Sequence, residues 1–423
     1  MHPLYTIGIN AYAGALRLAA LRNPKADKIV QAQETIFDYL KTHVADKGGR
    51  WVWIHAASLG EFEQGRPLIE RIRAERPDLR ILLTFFSPSG YEVRRDYAQA
   101  DAVSYLPLDK PKRVKRFLDL VKPEMAIFIK YEFWGNYLAE LRRRHIPTYI
   151  ISAIFRRGQI FFRPWGGEFR RMLRTFNRLY VQDEASRRRL AAIGIDNVTV
   201  AGDTRFDRVT SIVAKAVDLQ LIDRFNSSGA PLGTLVAGST WPPDEDMLIS
   251  VLSRHNGLKA IFAPHEFDRA RLHALEARLS AIGPTQRLSQ ITEHRTDPST
   301  LRFIIVDSFG LLAALYRKAT MAYVGGGFGT GIHNINEAAA YSIPVIFGPR
   351  HYKFKEADDL IACGGGFEID NQVALDDIVG RLSADTGARQ AAGQAAGRYI
   401  KSSIGATDKI FNDLFKTTPP END

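Results

Sequence analysis

Short apolar runs alternate with helical patterns from residue 51 almost to the end of the chain, and this alternation narrows the possible folds more than any other feature. Runs with strand character fall at 51–57, 80–86, 102–106, 125–129, 147–152, 178–182 and 197–201, and again at 234–238, 258–263, 302–306, 320–324, 344–347 and 366–369. Between them apolar residues recur at helical spacing, as in Pro111 to Leu120 and Phe133 to Arg144, then at 243–254, 266–281, 309–318, 334–341, 354–363 and 372–383. A strand buried on both faces reads as a continuous apolar run, and parallel neighbours need a crossover, usually a helix. The pattern therefore predicts an α/β protein whose parallel sheets are covered on both sides. Two such sets, joined across Asp203–Ser228, predict two doubly wound, Rossmann-like domains with an interdomain cleft. The expected division is a helix over 1–28, domains over 29–205 and 206–390, and a C-terminal helix over 391–423, within a helical pattern at 387–415.

Charge is unevenly placed. Residues 1–205 carry 35 Lys and Arg against 22 Asp and Glu, whereas residues 206–423 carry 22 against 25. The excess gathers at Arg142-Arg143-Arg144, Arg156-Arg157, Arg170-Arg171 with Arg174, and Arg187-Arg188-Arg189. Such a half is suited to polyanions: nucleic acid, anionic headgroups or a phosphorylated substrate. Solvated helix faces that happen to use Arg explain single clusters, but not the split between halves. The clusters are not interleaved with stacking aromatics and no recognition module is present, which argues against nucleic acid. The single cysteine, Cys363, excludes an internal disulfide framework, and no Cys/His spacing suits zinc, so no metal is expected. Residues 3–21 are mostly apolar but interrupted by Asn10 and Arg17, too short and mild to span a bilayer. They lack the basic start of a secretory signal. An interfacial helix followed by Arg22, Lys25 and Lys28 fits better, with burial against the protein as the competing reading.

The strand Trp51 to Ala57 breaks at Ser58-Leu59-Gly60, and a helical pattern opens at Glu61. Open α/β sheets place ligands outside the carboxyl ends of their strands, where this carboxylate would lie. Complementing the helix dipole is an equally good account of an acid in a first turn. In the second half, Met321 to Ala340 reads as strand, glycine-rich loop and helix, with Gly325, Gly326, Gly327 and Gly329 in five residues. Glycines let backbone approach a ligand, and a helix N-terminus favours phosphate. The strict dinucleotide fingerprint is absent and no Walker lysine follows. Glu337, three residues after Asn334, is placed to accept hydrogen bonds from a ribose diol. Ala263-Pro264-His265-Glu266 and Asp307 to Leu311 each follow a strand in the same way; His265 and His333 draw their weight from position alone.

Taken in order, these motifs resemble those of the 3-deoxy-D-manno-octulosonic acid (Kdo) transferases of lipopolysaccharide synthesis, membrane-associated glycosyltransferases of GT-B architecture. His55-Ala-Ala-Ser-Leu-Gly-Glu-Phe is similar to the family's HAAS-hydrophobic-GEF box, and Tyr131-Glu-Phe-Trp-Gly-Asn to its E-hydrophobic-WPN segment. Gly202-Asp-Thr-Arg-Phe-Asp resembles GNxKFD, Gly238-Ser-Thr-Trp an ASTH-like turn, and Asn334-Ile-Asn-Glu the NPLE motif. The resemblance implies transfer of Kdo, with inversion, from CMP-Kdo bound by the second domain to lipid IVA met by the first. It implies Glu61 as general base and Glu132 as a second acid. Donor contacts would come from Pro264, His265, Phe309, Gly310, Leu311, Asn334, Ile335, Asn336 and Glu337, with Gly326, Gly327 and Arg205; acceptor contacts from Ser58, Gly60, Arg156 and Arg157. The expected setting is the cytoplasmic face of the inner membrane, bound peripherally to an anionic surface, with no cofactor, metal or nucleic acid. Departures fall on the donor side. His265-Glu266 stands where the family often has Arg-His, leaving a phosphate contact to Arg269 or Arg271; Gly135 and Ile335 replace prolines, Leu311 an acid, and Asp203 and Arg205 an Asn and a Lys. A UDP-sugar transferase or epimerase of the same architecture is the main alternative, a basic nucleic-acid-binding protein the lesser one.

Overall fold

A computed structural model describes residues 3–214, 219–227, 231–294, 296–352 and 354–416. The chain forms two units, residues 1–208 with 404–423, and residues 209–403. In the first, α1 (Pro3–Ala20) and α2 (Pro24–Leu40) precede β1 (Arg50–Ala56), α3 (Leu59–Glu75), β2 (Leu79–Phe85), α4 (Pro88–Arg94), β3 (Ala102–Tyr105), α5 (Pro111–Val121), β4 (Met125–Ile129) and α6 (Gly135–Arg143). Then follow β5 (Thr148–Ala153), α7 (Gly167–Leu173), β6 (Arg178–Val181), α8 (Glu184–Ala191), β7 (Val198–Val200) and α9 (Arg205–Ala214), the last carrying the chain onward. The strands run parallel in the order β3-β2-β1-β4-β5-β6-β7. Both faces are apolar because side chains alternate across a strand. Trp51 and Trp53 of β1 pack with Phe117, Phe128 and Tyr137, while Val52, Ile54 and Ala56 pack with Phe62, Leu68 and Ile72 on the other face.

The second unit runs α10 (Gln220–Ser227), β8 (Thr234–Thr240), α11 (Pro242–Arg254), β9 (Lys259–Pro264), α12 (Arg269–Ser280), β10 (Thr285–Arg287), α13 (Leu288–His294), β11 (Phe303–Ile305) and α14 (Leu312–Tyr316). It continues through β12 (Met321–Val324), α15 (Asn336–Ala339), β13 (Val345–Phe347), α16 (Lys355–Ala362), β14 (Gly366–Glu368), α17 (Gln372–Ala384) and α18 (Thr386–Ser403). Its parallel order is β10-β11-β9-β8-β12-β13-β14. In each sheet the order reverses beside its first strand, between β1 and β4 and between β8 and β12. Crossovers on either side of such a point leave opposite faces, and a crevice opens at the carboxyl ends.

The expected strands appear within two residues of their predicted bounds, and β10 is an addition whose Thr-Gln-Arg sequence carries no apolar pattern. The joint expected across 203–228 falls within α9, and its residues 215–218 and 228 lie outside the described residues. Three helical expectations are corrected, the last of them at the N-terminus. The pattern at 387–415 and the C-terminal helix over 391–423 resolve into α18 and α19 (Ala406–Phe415), broken at Gly405, whose φ of 102° is left-handed; residues 417–423 lie outside the described ones. Ile410 and Phe411 of α19 enter the first unit's core, and Asp207 accepts from the amides of Gly405 (2.6 Å) and Thr407 (2.7 Å), capping the helix. The helix expected at 334–341 is the single turn α15.

The N-terminal helix expected over 1–28 is two helices, parted at Asn23, whose side chain accepts from the amides of Lys25 and Ala26; residues 1–2 lie outside the described ones. One side of α1 is fastened to the sheet's carboxyl end. The Tyr5 hydroxyl donates to Asp109 Oδ2 (2.7 Å) and accepts from the Gly135 amide (2.9 Å). Asp109 also accepts from the amides of Asn136 (3.1 Å) and Tyr137 (3.0 Å), closing the start of α6. Burial pushes the Asp109 carboxyl up to about 6, against those hydrogen bonds. Ile7, Leu18 and Leu21 lie outward, 60%, 71% and 80% exposed. Asp109→Ala leaves three donors in this joint unpaired, at about 1 kcal/mol or more each. The expected result in a calorimetric scan is a melting temperature lower by roughly 6–12 °C, at about 2–4 °C per kcal/mol for a unit of this size; an unchanged melt would mean the joint is not part of the cooperative core.

Candidate active site

In the first unit the reversal point gathers an acid from each of two elements. Glu61 lies in the first turn of α3, and its Oε2 accepts from the Ala57 amide at 2.7 Å, so the carboxylate does serve the helix start. That contact does not exhaust its role. Burial and the neighbouring Glu132 push the Glu61 carboxyl up to about 7, opposed by the Ala57 amide, His55 and Lys130. A group with that pKa exchanges protons near neutrality, as a general base must. Glu132 follows β4 and is buried. Its Oε2 accepts from Trp134 Nε1 (2.6 Å) and meets His55 Nε2 (3.0 Å). The fully buried His55 ring is held at its other nitrogen by the Thr84 hydroxyl (2.9 Å). Glu132 is thus fastened in place, and it acts on Glu61 by its charge.

The acceptor-side candidates lie around this pair. Ser58 is the residue before α3 and makes no side-chain cap. Gly60 is exposed, and a Cβ there would meet nothing within 4 Å, so packing does not require the glycine. Arg156 and Arg157 lie exposed after β5, and Arg156 acts on the Tyr131 phenol. Arg205, grouped with the donor residues by resemblance, belongs to the first unit, where its guanidinium holds Asp203 at 2.7 and 2.9 Å. Several Arg clusters are spent internally. Arg143 and Arg144 bond Glu140, Arg170 donates to the carbonyls of Phe161 and Arg163, Arg171 pairs with Glu168, and Arg187 with Glu184. The basic first half is therefore less of a bare polyanion surface than its composition implies.

In the second unit the ends of β8, β9 and β12 meet. Trp241 Nε1 donates to His333 Nε2 (3.2 Å), and His265 stacks on His333 (centroids 4.3 Å) with the Trp241 ring 4.9 Å from that of His265. An indole N–H only donates, so His333 presents its lone pair at Nε2 and carries its proton at Nδ1. Burial and His265 hold His333 below the usual histidine range. Fully buried Asp244 ties the walls together, accepting from Tyr323 Oη (2.8 Å) and the amides of Trp241 (2.9 Å) and Gly326 (3.0 Å). Pro264 ends β9 with His265 after it. Beside them, one strand further out, Phe309 is 82% exposed and packs on Phe267 (4.4 Å), Gly310 has φ 87°, and Leu311 precedes α14.

Packing accounts for much of the glycine-rich loop. The glycines answer crowding within the protein: a Cβ on Gly327 would stand 2.5 Å from Gly348 Cα, and one on Gly326 would run into the Gly331 carbonyl. The amides of Gly325, Gly326, Gly329, Gly331 and His333 are engaged by Gly238, Asp244, Gly326 and Gly325. One-turn α15 has little dipole to offer. Asn334 and Glu337 bond each other (2.8 Å), whereas Ile335 is core and Asn336 is buried. Arg271 Nη2 donates to the Thr240 carbonyl (2.9 Å) and to Glu245 (3.1 Å). Among the described residues no cluster of three or more His, Cys, Asp or Glu could hold a metal. Sequence reasoning quoted His55, Trp134 and Trp241 within motifs without giving them roles, and passed over Thr84 and Asp244, which lie where no local pattern marks them.

Two parallel, doubly wound units with ligand-side residues at each reversal point define a GT-B-type protein. The UDP-GlcNAc 2-epimerase of Neisseria meningitidis, solved with UDP-GlcNAc, shares this fold with TM-score 0.60 and 12% identity, over 87% of this chain and all of that one. A family model described as 3-deoxy-D-manno-octulosonic-acid transferase (kdotransferase) matches residues 30–208. The 3-deoxy-D-manno-octulosonic acid transferase of Aquifex aeolicus is 27% identical over 77% of this chain and 83% of its own; that of Bordetella pertussis is 29% identical over 86% of each. The chain is thus similar to Kdo transferases over most of its length, and their family model matches its residues 30–208.

The two acids supply a direct test. Glu132 raises the Glu61 carboxyl, so Glu132→Gln should lower its titration midpoint from about 7. Carboxyl-carbon NMR reads this without turnover; an unmoved midpoint would mean the two carboxylates do not share one field.

Proposed function

We propose that this protein transfers Kdo from CMP-Kdo to lipid IVA in lipopolysaccharide core synthesis, inverting the anomeric centre. The observation that carries this reading is Glu61, a carboxyl poised near neutrality at the reversal point of the first sheet, beside open space at Gly60. Glu61 takes the proton from a sugar hydroxyl of the acceptor as that oxygen attacks the anomeric carbon. Ser58 and the Arg156-Arg157 turn flank the acceptor. Glu132, tied to Trp134 and His55, raises the basicity of Glu61, and in this reading the sugar is transferred by a single displacement. The donor lies along the carboxyl ends of β8, β9, β11 and β12, with Glu337 on its ribose and the His265 and His333 rings near its phosphate. CMP leaves as a phosphate that carries its own charge, so the reading involves no cofactor or metal.

A lipid acceptor calls for a membrane surface. No helix among the described residues is long and apolar enough to cross one. Ile7 and Leu18 on the outward face of α1 and Leu21 just after it, with no acid along the helix, suit peripheral attachment to the cytoplasmic face of the inner membrane.

Glu61→Gln should lower transfer by about 10²–10⁴-fold while CMP still protects the protein against heat as it does the unaltered chain. In the unaltered enzyme kcat/KM should rise about tenfold per pH unit up to about 7 and level off above, since the base works only when deprotonated. Retained activity in the Gln variant, or loss of its fold, would return Glu61 to a capping role. For the membrane, Leu18→Asp with Leu21→Asp should reduce flotation with anionic vesicles at least about tenfold, two buried leucines being worth roughly 3 kcal/mol or more; equal flotation would place α1 away from the lipid.

A further inference from the structure

The donor proposed above is an ulosonic acid, and its anomeric carbon carries a carboxylate. Any oxygen that attacks this carbon approaches that carboxylate closely, and Glu61 must be within reach of the same oxygen. Glu132 adds another negative charge nearby. Three carboxylates in a partly buried space repel one another unless a cation and a hydrogen-bond donor meet the newcomer. The first unit holds such a pair.

Lys130 and Tyr131 follow β4 at the sheet's reversal point, directly before Glu132. The Lys130 amide completes the ladder to the Ile151 carbonyl (2.9 Å), and the Tyr131 amide folds back onto the Ile129 carbonyl (3.0 Å). This turn puts Lys130 at φ 66°, a left-handed conformation that costs a side-chain-bearing residue about 1–2 kcal/mol. It delivers three functional side chains in succession beyond the strand end. The Lys130 ammonium lies 5.3 Å from the Tyr131 ring centre. Among the groups that act on Glu61, namely Glu132, His55, Lys130 and the Ala57 amide, Lys130 alone bears a permanent positive charge. The Tyr131 hydroxyl is buried and has no hydrogen-bond partner, a state that costs about 1–3 kcal/mol unless a ligand satisfies it. Around it act Arg156, Arg205, Asp203 and Glu61, and burial pushes its phenol above the ordinary range, so it stays a proton donor.

We infer that Lys130 and Tyr131 form the subsite for the carboxylate on the anomeric carbon of the donor sugar, and so select an ulosonic acid over an aldose. The inference rests on the proposed reading of the donor. Bound there, the carboxylate accepts from Tyr131 Oη and lies in the field of the Lys130 ammonium, while Glu61 remains available to the acceptor hydroxyl. CMP itself, which lacks the sugar acid, gains nothing from the pair.

Steady-state kinetics with CMP-Kdo and lipid IVA test this on the full chain. Lys130→Met should lower kcat/KM for CMP-Kdo about ten- to hundredfold, the worth of a charge-assisted hydrogen bond, and Tyr131→Phe about tenfold. The inhibition constant of CMP should stay within about twofold, and Lys130→Arg should restore most of the loss. Losing the lysine charge should also move the acid limb of the pH profile upward, since Lys130 lowers the Glu61 carboxyl. The subsite is overturned if Lys130→Met turns over normally, if CMP inhibition weakens in parallel, or if the lipid IVA KM rises in place of that of CMP-Kdo. That last outcome would assign the pair to an acceptor phosphate. Absence of turnover by the unaltered enzyme overturns the donor reading itself, and the subsite with it; a normal melting curve for Tyr131→Phe excludes misfolding as the cause of its loss.

Discussion

Parallel pairing is the constraint on which the rest depends. Each parallel neighbour must be reached by a crossover, and the crossovers must cover both faces of a sheet that is apolar on both. Starting from the first strand and working outward in both directions satisfies this, at the cost of a gap in cover at the carboxyl ends where the directions part. In the first unit the gap lies between β1 and β4, and the residues following those strands are Ala57 to Glu61 and Lys130 to Trp134. In the second it lies between β8 and β12, followed by Trp241 and the glycine-rich loop. Each group of candidate residues is therefore a consequence of strand order.

Within the first gap, electrostatics decide the chemistry. A lone surface glutamate would titrate well below neutrality and make a poor base at pH 7. Burial and the fastened Glu132 raise Glu61, while Lys130, His55 and the Ala57 amide keep it from rising further. The Trp134 and His55 contacts give Glu132 its place, and Thr84 gives His55 its own. The second gap is built differently, on ring stacking and one buried acid. Asp244 fixes the distance between the Trp241 turn and Gly326, and the close approach of Gly327 to Gly348 fixes the loop from the other side. Rigidity of this kind lets a site hold a ligand without further ordering on binding.

How much was legible in the sequence follows from how far each interaction reaches along the chain. The strand positions, the α/β class and the acid after β1 rest on periodicity and turn residues within a short window, and these emerged from the residues directly. The glycine-rich loop was legible as a loop, but the packing role of its glycines was not. Its glycines face Gly348 and the Gly331 carbonyl, contacts made through the fold, so the backbone has less to offer a phosphate than the motif implied. The Arg clusters misled similarly: Glu140, Glu168 and Glu184 lie three residues before Arg143, Arg171 and Arg187, and only helical geometry makes those pairs.

By itself, then, the sequence determined the alternation of elements, the two-unit plan, the mostly apolar character of the first helix, and which acid opens α3. Those properties depend on neighbours a few residues apart. Tertiary structure decided the pKa of that acid, the fastening of Glu132, the His265–His333 stack and the return of α19 to the first unit. Each of these joins residues far apart in the chain, and the energy of a buried charge or a stacked ring is set by what the fold brings within a few ångströms of it.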